Sequence, residues 1–117
     1  MSRGAPVVWR IRDRATFEQL RRSGRRSRRG EITVTYAPAG EQRHPCVAYA
    51  VGRRVGGAVT RNRLRRRLRA AVAAGPGTLR PGAYLVAAGR GAVELPFEEL
   101  RAHVTTAMTS ASEERRQ

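Results

Sequence analysis

Apolar residues recur along this chain in two rhythms. Some stretches alternate with polar residues at period two, and others repeat three or four positions apart. Phe17 and Leu20 sit three apart and share a helical face. Asp13 stands before them as a candidate N-cap and Gly24 follows as a natural stop, so a short helix is predicted over residues 14–23. Residues 25–30 are nearly all basic. Within 31–37, Ile32, Val34 and Tyr36 alternate with polar neighbours, which is the pattern of a strand. A loop over 38–45 leads to a second strand over 46–51, ending at Gly52. Residues 53–57 form a turn with two glycines, and a helix is predicted over 59–74, stopped by Gly75-Pro76-Gly77. A third clear strand covers 83–88, and 89–95 is a loop. The last helix covers 97–108, with Pro96 at its first turn and Phe97, Leu100 and Val104 on one face.

The expected fold is α+β, a single-sheet α/β sandwich of order αβββαβα, which holds one strand more before the second helix than the periodicity locates. Its length suits one domain, placed at 13–109. Residues 1–12, mixing Gly, Pro and Arg, read as a flexible arm, and the polar residues 110–117 read as a disordered tail.

Charge narrows the function. The 117 residues carry 24 basic side chains against 9 acidic ones, a net charge of +15, and every basic residue is arginine. Such an excess repels itself in the folded state and seeks a polyanion. Arginine's planar fork suits phosphate and stacks on bases, although GC-rich codon usage accounts for the absence of lysine equally well. A lone cysteine, Cys46, has no intramolecular disulfide partner, so a cytoplasmic protein is expected. No apolar run approaches the ~20 residues that span a bilayer.

The densest charge lies in Thr60-Arg61-Asn62-Arg63-Leu64-Arg65-Arg66-Arg67-Leu68-Arg69. At ~100° per residue, Leu64, Leu68, Ala71 and Val72 make one apolar stripe. Asn62, Arg66 and Arg69 point the opposite way, and Arg61, Arg63, Arg65 and Arg67 lie along the flanks. An ordinary solvated helix face alternates charge sign, but this one has six like charges in nine residues and no acid among them. Relief by a polyanion explains the arrangement. A DNA recognition helix fits less well, because a strand and a Gly-rich turn precede it. A membrane-surface helix needs a broader apolar face.

The run from Val51 through Gly52, Arg53-Arg54, Val55-Gly56-Gly57, Ala58-Val59 and Thr60 to Arg61-Asn62-Arg63 and its basic helix resembles the signature of the bacterial ribonuclease P protein family. Residues 13–24, 35–36, 83–88 and 97–100 resemble further elements of that family. The resemblance implies a ribosomal-protein-like fold with a left-handed βαβ crossover, where general rules favour a right-handed one. It implies a protein subunit that binds a catalytic RNA and the 5′ leader of precursor tRNA, assisting RNA-catalysed leader removal. Arg53, Arg54, Arg61, Asn62, Arg63, Arg65, Arg66 and Arg69 would contact the catalytic RNA. A cleft between the first helix and the sheet would hold the leader, lined by Phe17, Arg21, Tyr36, Val47 and Tyr49. Three positions depart from the family pattern: Arg21 replaces a second aromatic, Gly52 a frequent serine, and Arg53-Arg54 a lysine pair.

The residues themselves offer little for protein-based catalysis. His44 and His103 are separated, and the nine acids form no spaced set on neighbouring strands. No catalytic or metal-binding residue is expected, and Mg2+ is expected to act through the catalytic RNA. The expected partners are that RNA and precursor tRNA, with neither membrane nor DNA. A structural ribosomal protein shares the fold, charge and target class and stands as the alternative. Phe17 itself reads equally well as a core residue beneath the first helix.

Overall fold

Period-two alternation becomes a sheet with two unequal faces. The computed structural model describes residues 9–11, 14–38, 44–77 and 79–113. Its elements are β1 (Trp9–Arg10), α1 (Arg14–Ser23), β2 (Arg25–Arg29), β3 (Ile32–Ala37), β4 (Pro45–Ala50), α2 (Ala58–Ala74), β5 (Gly82–Ala88) and α3 (Phe97–Ser112). Short 3-10 turns at Arg53–Val55 and Arg90–Glu94 lead into α2 and towards α3. The five strands lie in the order β1-β4-β5-β3-β2. β4 runs parallel to β1 and β5, while β3 is antiparallel to β5 and β2. The order αβββαβα thus holds from α1 to α3, and α2 is the crossover between parallel neighbours β4 and β5.

Ile32, Val34, Tyr36, Val47, Tyr84 and Val86 face one way and join Leu64, Leu68, Leu100, Val104 and Met108 in the main core. The other face carries smaller residues, Ala37, Cys46 and Ala83, and these pack with Leu20 of α1 and Ile11. Large side chains therefore support the two long helices, and small ones let α1 lie close. Gly24 ends α1, its N–H donating to Leu20 O at 3.0 Å. A Cβ there would strike the Thr35 methyl and the Leu20 carbonyl, so the chain's close approach to β3 requires glycine.

Two expectations change, and one strand is located. The arm does not extend to residue 12: Trp9–Arg10 pairs with β4, and Ile11 is buried against Leu20 and Cys46. A two-residue strand is too short to show alternation in sequence. The tail does not begin at residue 110, because α3 continues to Ser112 with Ala107, Met108 and Ala111 extending the Leu100–Val104 stripe. Ser112 is held from both sides: its hydroxyl donates to Met108 O at 3.0 Å, and its carbonyl accepts from Arg80 at 2.8 Å. The basic run at 25–30 contains an edge strand, β2, whose sequence is RRSRR. Pairing with β3 makes it a strand, through a two-residue connection in which Gly30 takes φ of 57°. The Asp13 cap, residues 1–8 and 12, and residues 114–117 lie outside the described residues.

Candidate nucleic-acid interface

The α2 stripe is where periodicity places it, with Leu64, Leu68, Ala71 and Val72 all buried. Asn62, Arg63, Arg66 and Arg69 are exposed on the outer side, and Arg61 and Arg65 are half-buried beside them. Two local bonds order this surface. Arg61 Nε donates to Gly56 O at 3.1 Å, and Arg65 donates to Asn62 Oδ1 at 2.9 Å. Arg53 and Arg54 are exposed on the turn before α2. Among the described residues, no carboxylate forms an ion pair with an α2 arginine; the ion pair seen is Arg101–Glu98 at 2.8 Å on α3. An unneutralised guanidinium wall is a surface built for phosphate.

Arg67 has a different task. Its guanidinium turns inward and donates to Val93 O at 3.2 Å, to Ala92 O at 3.4 Å and to Leu95 O. It ties α2 to the turn before α3, a role that sequence spacing did not disclose because the acceptors are backbone carbonyls 25 to 28 residues away.

On the opposite face, a cleft of about 330 Å³ opens between α1 and the sheet. Phe17, Leu20, Arg21, Arg26, Thr35, Tyr49, Ala50 and Leu85 line it. Phe17 and Arg21 border it from α1, and Tyr49 borders it from β4, although strand parity sets the Tyr49 side chain on the same face as Val47. Tyr49 stands at the margin, its ring 5.6 Å from the Arg69 guanidinium carbon. Burial pushes its hydroxyl up to about 12 while Arg69 pulls it back, so it is protonated at neutral pH. Arg26 was missed in sequence, since only the pairing of β2 with β3 sets it beside Thr35.

Tyr36 and Val47 do not line the cleft. Both point to the main core, 2 % exposed, because strand parity puts them opposite Thr35 and Ala48. The Tyr36 ring lies 4.9 Å from that of Tyr84, and its hydroxyl donates to Pro81 O at 2.7 Å. A tyrosine hydroxyl here meets a backbone carbonyl and not water. Tyr36→Phe is expected to lower stability by about 1 kcal/mol in chemical denaturation, with no change in RNA affinity.

Among the described residues, no three His, Cys, Asp or Glu side chains come together as metal donors. Cys46 is buried, its thiol donating to His44 O at 3.8 Å. Nor is any described helix long and apolar enough to cross a membrane.

A basic helix on one face of a small sheet and a basic cleft on the other give this α+β protein two surfaces suited to a polyanion. Relatives specify the class further. The chain is 36% identical over 104 residues to the ribonuclease P protein component of Chloroflexus aggregans, covering 87% of this chain and 76% of that protein. It is 37% identical over 100 residues to the protein component from Symbiobacterium thermophilum, covering 83% and 85%. The fold matches the ribonuclease P protein of Thermotoga maritima with a TM-score of 0.76 at 19% identity, covering 86% of this chain and 96% of that one. Residues 6–112 match the Ribonuclease P family model, and the chain belongs to the ribonuclease P protein family.

Proposed function

We propose that this protein binds the catalytic RNA of ribonuclease P through α2 and the preceding turn, and holds the 5′ leader of precursor tRNA in the α1 cleft. The RNA performs the cleavage. The protein lowers phosphate repulsion, so that the RNA folds and gathers Mg2+ at lower ionic strength. The Mg2+ ions are assigned to the phosphates of the catalytic RNA. The observation that carries the reading is the α2 wall: five outward arginines, Arg61, Arg63, Arg65, Arg66 and Arg69, with no acidic partner among the described residues. The named relatives favour it over a structural ribosomal protein.

In the cleft, Arg21 and Arg26 supply charge, and Phe17 supplies a face on which a base can stack, worth ~1–3 kcal/mol. Every base has a stacking face, so selectivity among leader sequences is low. Reconstitution tests the proposal. Adding the protein to its cognate catalytic RNA is expected to lower the Mg2+ concentration needed for half-maximal precursor-tRNA cleavage, and the protein alone is expected to cleave nothing. An unchanged Mg2+ requirement removes the proposal.

A further inference from the structure

β2 sets four arginines in five residues along the outer edge of the sheet, on the far side from β4 and its exit into the basic turn. Arginine is not among the residues enriched in strands, and four like charges on one short strand repel one another. Charge on an edge protects against pairing with another chain. That bland role has no preference for a face, yet the register gives the two faces different surroundings. Arg26 pairs with Thr35 and Arg28 with Thr33, so both stand on the α1 side of the sheet. Arg25 and Arg29 stand on the α3 side.

α1 covers only one end of that first face. Beyond it, the row from Arg28 through Thr33 and Ala87 to Ala50 crosses β2, β3, β5 and β4 in register. Thr33 and Ala87 are half-buried and Ala50 is exposed, although all three belong to sheet strands. These small, partly exposed side chains form a row that meets the Phe17 cleft at Ala50. It spans ~14 Å across the strands, and Arg26 and Arg28 rise at its edge ~7 Å apart. That separation is close to the spacing of successive phosphates on an extended RNA strand. Arg28 Nε is occupied by Gly30 O at 3.1 Å, which fixes the side chain and leaves its terminal nitrogens to donate elsewhere.

We propose that β2 is a phosphate-binding edge, where Arg26 and Arg28 hold two backbone phosphates of single-stranded RNA leaving the α1 cleft across the Thr33–Ala87 row. The inference rests on the leader-binding reading and extends it by naming the path and the contacts. Contacts to phosphate alone carry no base preference, and they make the grip salt-dependent.

The test compares Arg26→Ala/Arg28→Ala with Arg25→Ala/Arg29→Ala in the full chain assembled with catalytic RNA. Both pairs remove the same charge from the same strand, and thermal unfolding checks that both fold. Binding is measured for precursor tRNAs of increasing leader length and for mature tRNA. The 26/28 pair is expected to weaken binding of long-leader substrates about 10-fold, and to reduce the log–log salt slope by about 1.4 for two single-strand phosphates. Mature tRNA and catalytic RNA are expected to bind it as they bind the unaltered protein. Equal losses from the 25/29 pair overturn the inference in favour of bulk charge. A loss in catalytic-RNA binding alone assigns the edge to that RNA and also overturns it. Affinity that rises with leader length but is insensitive to the 26/28 pair sinks this inference and the cleft role of Arg26, and spares a leader held by Phe17 and Arg21. Affinity insensitive to leader length and to Phe17→Ala sinks both.

Discussion

Replacing Arg63 and Arg66 together with alanine is expected to weaken binding of the catalytic RNA on the order of 10²-fold, with the fold intact. Both side chains are exposed on the outer side of α2, and neither makes a hydrogen bond or ion pair seen among the described residues. Their loss therefore leaves no buried group unsatisfied and changes no core packing. Two charge-assisted phosphate contacts together contribute about 2–3 kcal/mol, which is the stated change in affinity. Each also releases a counterion, so the log–log salt slope should become shallower by about 2 on a duplex-like target. Removing the same charge at Arg115 and Arg116 is expected to cost much less. Equilibrium binding at several salt concentrations reads both quantities.

Arg67→Ala should behave in the opposite way, although its residue is the next one along the chain. Three carbonyl oxygens, of Ala92, Val93 and Leu95, accept from this one guanidinium. The site is partly buried, so alanine leaves acceptors short of a donor and cuts the tie between α2 and the segment before α3. A loss of about 2–3 kcal/mol is expected. In a domain of this size, that lowers the melting temperature by roughly 10 °C or more. The salt slope of RNA binding should stay close to that of the unaltered protein at temperatures where the variant is folded. A crossed result, with Arg66 controlling stability and Arg67 controlling RNA binding, would mean the two faces of α2 have been assigned the wrong way round.

The contrast shows what the sequence could convey. Helix period alone located Leu64, Leu68, Ala71 and Val72, because a stripe at 3.6-residue spacing has one way to face a core. It also located the outward arginines, as the complement of that stripe. It could not separate Arg67 from its neighbours, since a guanidinium that binds distant carbonyls has the same local pattern as one that faces solvent. Strand parity was readable in Ile32, Val34 and Tyr36, but the face that each parity serves was not. The family resemblance puts Tyr36 in the cleft, but its hydroxyl is satisfied by Pro81 O inside the core. Val47 follows the same parity rule. β2 was individually illegible, because RRSRR has no apolar alternation and is a strand only through its ladder to β3. The edge strand at Trp9–Arg10 and the last turn of α3 were hidden for a related reason: their order comes from docking onto a finished sheet and core.

The proposed role of the protein depends on where the outer side of α2 lies in the assembled particle. Cys46 is the chain's single cysteine, so Arg66→Cys in a Cys46→Ala background places one reactive thiol on that surface. A hydroxyl-radical-generating iron chelate tethered there should cut the catalytic RNA at a few discrete backbone positions. The cuts should disappear when excess unmodified protein competes for the RNA. Cleavage spread evenly over the RNA, or no cleavage at all from a complex that still binds, would show that this face of α2 points into solvent.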